Sequence, residues 1–212
     1  MNAMSKIRDA RTSVQPAIGL AGSATLRTPC GGRRAENIRK GDLIVTRDAG
    51  LQPVRMVWSR TVTAAQISAD PSLAPVRLKP RAIGPMMPQR DLVLAGAHRV
   101  LVPGYRLAEM PDTTACLLAA RDVAEASDAA YVDKALTEIT YYNIVFDAHQ
   151  VFCANGLPVE SFLPSKTVLG QLDRSVREDL IALFPELDGQ DVEFPAADYP
   201  SPDPASYRPE FV

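Results

Sequence analysis

Asp147-Ala148-His149-Gln150-Val151-Phe152-Cys153-Ala154-Asn155-Gly156-Leu157-Pro158-Val159-Glu160-Ser161 is the stretch whose reading decides the fold. Phe152 to Val159 reads as a strand and turn that close a hairpin. The segment before it, Glu138 to Phe146, is β-branched and aromatic and reads as a long strand. Asp147 lies two residues before His149, hence on the same strand face, where it can orient one imidazole tautomer or serve as a plain hydrogen-bonded strand-end pair. His149 and Cys153 also share a face, but four strand residues span ~13 Å, too far for one metal ion without a bend.

Working outward, short strands and turns recur. Ala24-Thr25-Leu26-Arg27-Thr28 alternates, and Pro29-Cys30-Gly31-Gly32 is a turn. Leu43-Ile44-Val45-Thr46 is apolar and β-branched, and Pro53 to Trp58 alternates apolar with polar residues. Val76-Arg77-Leu78, Asp91 to Leu94 and Val100 to Val102 add further strands, with His98 between the last two. Several short strands at roughly ten-residue spacing predict an all-β body. Thr114 to Leu118 starts a strand, and Ala119 to Ala126 reads as a short helix.

Past Pro164 the character changes. Val176, Leu180, Ile181, Leu183 and Phe184 fall on one helical face, capped at Asp173 or Ser175 and stopped by Pro185. From Phe194 onward prolines recur every few residues, which predicts an extended tail and not a packed domain. The organisation expected is an arm over 1–18, a β body over 19–163, and a helix with a Pro-rich tail over 164–212.

Composition narrows the function classes. With 46% hydrophobic and 23% charged residues and a net charge of −2, the chain is ordinary for a globular protein, and no charge excess favours nucleic acid or an anionic membrane. The three cysteines, Cys30, Cys116 and Cys153, show no CxxC or His-bearing zinc spacing, so no metal and no cofactor is expected, and three free thiols in a reducing compartment are. Near the N-terminus the longest apolar run, residues 16–20, is too short for a membrane span or signal-peptide core. The expected location is cytoplasmic, or secreted without an N-terminal signal peptide.

Three blocks, in order, resemble bacterial Hint (Hedgehog/intein) domains of the alphaproteobacterial type. The first is Thr25 to Pro29, Gly31, then Glu36-Asn37-Ile38-Arg39-Lys40-Gly41-Asp42 running into Leu43 to Asp48. The second joins Gln52 to Val57, Pro75-Val76-Arg77 and Arg90 to Leu101; the third is Phe146 to Phe162. Leu183-Phe184-Pro185-Glu186-Leu187 is a further family feature. The resemblance implies an all-β horseshoe of curved strands with a pseudo-two-fold layout, whose two chain ends meet at one site. It further implies protein splicing or autoprocessing. In working members the first residue, Cys or Ser, attacks the carbonyl before it and turns an amide into a thioester or ester. A buried His polarises or protonates the scissile nitrogen, and a nucleophile or a cyclising Asn resolves the ester.

Carried onto this chain, the resemblance gives the following expectations. Counting back from Gly41-Asp42 puts the nucleophile at Gly19, which has no side chain. His98 matches the buried His, with Ala95 where a hydroxyl residue often stands, and His149 matches the second site residue, with Asp147 beside it. Glu160-Ser161 replaces the terminal His-Asn pair. The expected remnant site is therefore His98, His149 and Asp147, converging on Gly19, and Gly19→Cys would supply the missing reactant. Two rival readings stand beside this one. Residual self-cleavage by an N-to-S or N-to-O acyl shift would use Ser23 or Cys30 in altered register. Alternatively, a peptide or protein partner would be held by the vacated cleft or by the Pro-rich tail.

Overall fold

Residues 17–108, 110–126, 128–189 and 194–209 are described in a computed structural model. The arm assigned to 1–18 therefore lies, apart from its last two residues, outside the described residues. The chain opens with β1 (Leu20–Ala21), the hairpin β2 (Thr25–Thr28) and β3 (Gly31–Arg34), and the ribbon β4 (Leu43–Val45) and β5 (Leu51–Pro53). It continues through β6 (Met56–Val62), α1 (Ala64–Ala69), β7 (Pro75–Leu78), β8 (Leu92–Ala95), β9 (Arg99–Pro103) and β10 (Ala115–Ala119). Then come α2 (Ala120–Ala126), β11 (Ala130–Val132), β12 (Ile139–Val145), β13 (Val151–Ala154), β14 (Leu157–Glu160), α3 (Lys166–Leu169) and α4 (Arg174–Leu183).

Two six-stranded sheets carry the body, in the orders β11-β7-β8-β1-β12-β6 and β10-β9-β14-β13-β2-β3, and all pairs are antiparallel. This is the expected all-β architecture. The two-residue β1 sits inside the first sheet, between β8 and β12, so the start of the body is a central strand and not an edge. The long strand expected at 138–146 is β12, in register with β6 from Ile139↔Val62 to Val145↔Met56. Its alternating Ile139, Tyr141 and Asn143 are buried on one face.

The hairpin that opened the sequence reading pairs Val151 with Glu160 and Ala154 with Leu157, leaving Asn155 and Gly156 as a two-residue turn. Both have positive φ, 49° and 84°, the geometry that matches the twist of antiparallel strands and that Asn-Gly adopts at low cost. Asn155 then ties the hairpin to the rest. Its Oδ1 accepts from the Thr25 N–H (2.8 Å) and its Nδ2 donates to the Asp91 carbonyl (2.7 Å). Leu26, Ile44, Leu94, Ile144, Phe152 and Val159 bury their side chains in one core shared by both sheets.

α4 fills the place its periodicity assigns it. Leu180 and Phe184 enter a second apolar cluster with Trp58, Val145 and Phe162, and Val176 packs on its margin. Asp173 stands at the N-cap but makes no side-chain hydrogen bond there. The proline-rich tail differs from expectation in one respect: it is extended, yet it packs. Phe194 stacks edge-on against Phe184 at 5.2 Å, and Phe194 and Tyr207 are both buried. The reason is that proline removes a donor and not an acceptor. The Pro195 and Pro200 carbonyls take the N–H groups of His149 (2.8 Å) and Leu117 (2.9 Å). Among the described residues no helix is long and apolar enough to cross a membrane.

Candidate functional site

The site forms where β1, the β8–β9 turn and the ends of the closing hairpin meet. Gly19 precedes β1 with φ +124°, in a region that side chains rarely adopt. A Cβ placed there would stand 2.9 Å from the Tyr142 carbonyl oxygen and 3.0 Å from Asn143 Nδ2. The backbone thus leaves no room for a side chain, and Gly19→Cys cannot supply a nucleophile without moving β12. The carbonyl on the N-terminal side of Gly19, that of Ile18, accepts from Asn143 Nδ2 at 3.1 Å, while Asn143 Oδ1 is buried with no partner among the described residues. Asn143 was not singled out from the sequence. Its signal is a polar side chain on the buried face of β12, between Tyr141 and Val145.

His98 lies one hydrogen-bond relay away. The Ala95 N–H donates to the Gly19 carbonyl (2.9 Å), and the His98 N–H donates to the Ala95 carbonyl (3.0 Å). The turn folds the imidazole into the interior, where it is 3% exposed. Neither ring nitrogen meets a well-placed partner among the described residues, and Ala95 has no hydroxyl to offer. The charge of the nearby Glu160 carboxylate, and more weakly its main chain, favour a proton on the ring. Burial dominates and lowers the His98 pKa to about 4, so the ring is neutral near pH 7.

The closing end is wired differently. Glu160 ends β14 across from the start of β9, because Val159 pairs with Val100. Its Oε1 accepts from the Arg99 N–H (2.9 Å), and its Oε2 accepts from Arg99 Nε (2.8 Å) and Nη2 (2.6 Å). His149 Nε2 also meets Oε2, at 3.1 Å. Burial alone would raise the carboxyl pKa; the hydrogen bonds from His149 and Arg99 outweigh it and hold it down at about 2. On the other side of the ring, the Ala197 N–H donates to His149 Nδ1 at 3.2 Å. Nδ1 is then the acceptor, so the proton of the neutral ring sits on Nε2 and is donated to Glu160. Sequence reading treated Glu160 only as the loss of a histidine and passed over Arg99. The partners are 61 residues apart, and only the strand register joins them.

Of the expected site residues, the structure links Gly19 to His98 through Ala95, sets His98 within electrostatic reach of His149, and leaves Asp147 apart. Asp147 forms an ion pair with Arg55 (2.8 Å), its side chain 54% exposed. It does not orient His149, because Glu160 and Ala197 already take both ring nitrogens. Ser161 is buried: its Oγ accepts from the Gln150 N–H (2.9 Å) and its N–H donates to the Gln150 carbonyl (2.7 Å), so its hydroxyl is engaged in closing the hairpin base. Ser23 is exposed in the turn after β1, and Cys30 is exposed in the β2–β3 turn. Cys116 is buried and Cys153 half-buried, and burial pushes both thiols up, away from the reactive thiolate. Among the described residues no group of three His, Cys, Asp or Glu side chains could hold a metal ion.

The tail lies over this end of the site. Beyond Ala197, the Tyr199 hydroxyl donates to Asp48 (2.5 Å) and Arg99 Nη1 reaches the Ser201 hydroxyl (3.3 Å). A separate cleft of about 620 Å³ opens between β6, α4 and residues 38–40, lined by Trp58, Tyr142 and Arg39 among others.

With this geometry in place, comparison with known proteins gives a consistent picture. A family model described as a Hint domain matches residues 18–166. No curated protein matches. Among solved structures, the gp41-1 intein is 16% identical, with a TM-score of 0.40, over 66% of this chain and 96% of its own. The MchDnaB-1 intein is 13% identical, with a TM-score of 0.41, over 66% and 98%. A bacterial intein-like domain from Clostridium thermocellum is 13% identical, with a TM-score of 0.38, over 70% and 99%.

Proposed function

The chain belongs to the Hint domain family, and from that premise we propose that it is a Hint scaffold that has lost the self-cleaving reaction at its opening bond. One observation supports this reading: Gly19, which the family resemblance puts at the nucleophile position, has a backbone conformation that leaves no room for a side chain. The acyl shift needs a sulfur or oxygen on the residue after the scissile carbonyl. Asn143 at the Ile18 carbonyl and the neutral His98 nearby are placed to assist such a shift, but transition-state assistance does not replace a missing reactant. The closing end supports the same view. Ser161 carries no amide to cyclise, and the Glu160 carboxylate is ion-paired with Arg99 and accepts a hydrogen bond from His149 Nε2. Residues 19–163 form the domain body in this reading, and 164–212 its helical and strap-like extension.

The test is an intact-mass measurement after incubation with dithiothreitol or hydroxylamine. A single mass for the whole chain is expected. A fragment ending at residue 18 overturns the proposal, and fragments ending at 22 or 29 transfer the chemistry to Ser23 or Cys30. A second reading, a peptide-binding module on the Hint scaffold, is favoured by one observation: the chain already holds an extended peptide, its own tail, against the closing end of the site.

A further inference from the structure

Residues 195–201 touch the body the way a bound peptide touches a receptor. The contacts combine main chain and side chain along an extended run. The Pro195 carbonyl accepts from the His149 N–H, the Ala197 N–H donates to His149 Nδ1, and the Pro200 carbonyl accepts from the Leu117 N–H on the outer edge of β10. Between these anchors the Tyr199 ring packs on the buried patch of Leu101, Leu117 and Val151, and its hydroxyl donates to Asp48 in the turn between β4 and β5. Arg99, whose other nitrogens hold Glu160, adds a contact to the Ser201 hydroxyl. Six body residues from four parts of the fold thus read one carbonyl, one amide, one tyrosine, a second carbonyl and one hydroxyl, in that order.

This pattern is a specification for a ligand. Main-chain contacts supply affinity that any extended peptide could use, and the apolar patch with Asp48 at its far end selects an aromatic ring bearing a hydroxyl. The prolines flanking it hold the segment extended before it binds, which lowers the entropy lost on docking. The segment reaches the groove with its own residues making few bonds to one another; the internal main-chain bond within it is Tyr199 N–H to the Ala197 carbonyl (3.0 Å).

We propose that the face formed by His149, Val151, Leu101, Leu117, Asp48 and Arg99 is a peptide-recognition groove for an extended Tyr-Pro segment of a partner protein, and that residues 195–201 fill it in cis as a resident competitor. The proposal rests on the second reading of function above and does not depend on whether any self-cleavage remains. A tethered occupant competes at high effective concentration, so a free peptide binds the intact chain weakly and binds better once the occupant is weakened.

Fluorescence anisotropy with a labelled synthetic peptide of residues 194–209 tests this on the full chain. The Tyr199→Ala chain, which keeps every groove residue, is expected to bind the peptide with about ten-fold or greater tightening over the unaltered chain. The same peptide carrying Tyr199→Ala is expected to lose that binding. A Tyr199→Ala chain that keeps its thermal transition but binds neither peptide, or binds both alike, overturns the proposal. If light scattering shows the Tyr199→Ala chain pairing with itself without added peptide, the groove serves a second copy, and the assignment to a partner protein fails. Intact mass is unaffected by any of these results, so failure here is separable from failure of the inactive-domain reading.

Discussion

The two ends of the site obey opposite rules of satisfaction. At the opening end, both ring nitrogens of His98 and the amide oxygen of Asn143 are buried with no partner among the described residues. At the closing end, Glu160, His149, Arg99 and Ser161 meet partner after partner, and the tail supplies the last of them. A buried polar group without a partner costs about 1–3 kcal/mol, and chains in general do not retain such groups for stability. The opening end therefore carries a cost to folding, while the closing end is part of what holds the fold together. Hydrogen-bond accounting thus separates a half of the site whose polar groups stand unpaired among the described residues from a half whose polar groups are bound into the fold.

This contrast breaks most readily at Glu160. Glu160→Gln removes the charge that offsets Arg99 and half the acceptor capacity that receives His149, so denaturant unfolding is expected to lose about 3 kcal/mol. A loss under about 1 kcal/mol would show that the closing network is ornamental and that the two ends do not differ in kind. The second effect is on the acid side. His98 has an ordinary pKa of 6.5 and a folded one of about 4. Between those values the unfolded chain binds a proton that the folded chain refuses, so each unit of acidification favours unfolding by about 1.4 kcal/mol. Stability is expected to be full above pH 6.5 and to fall by roughly 3 kcal/mol on reaching pH 4. Glu160 adds a loss of the same sign from its ordinary 4.5 down to about 2. His98→Leu should flatten the upper of these two windows and leave the lower one. Retention of the full slope in that variant would assign it to another group. The smallest effect sharpens the comparison. At pH 8, His98→Leu is expected to be neutral or stabilising, within about 1 kcal/mol, because it removes two unsatisfied nitrogens and keeps most of the volume. A loss above 2 kcal/mol would mean that His98 is satisfied after all and that the opening end is structural too.

The fold was legible because its signals are local. Asn155-Gly156 names its own turn, the β-branched run through Ile139 to Val145 names its strand, and Val176, Leu180 and Phe184 name a helix face. The closing network was not. Arg99, Glu160 and Ala197 carry no periodicity that marks them as partners, and each looks like an ordinary strand end or loop residue until the register of β9 against β14 is known. Asp147 shows the reverse error: two-residue spacing put it on the face of His149, but Arg55 on the neighbouring segment offered the stronger partner. The tail's packing escaped for a related reason. Recurrent proline describes what a segment cannot donate and says nothing of what it can accept.

That one-sided chemistry has a consequence at the edge of the second sheet. β10 is the terminal strand of the second sheet, and an uncovered terminal strand offers a ladder of main-chain groups on which another chain can grow. Here the Pro200 carbonyl takes the Leu117 N–H, and a proline there brings no N–H of its own to that edge. The strap works as a terminator. At Leu117 it meets the edge with a carbonyl and offers no N–H from Pro200 to carry the ladder on.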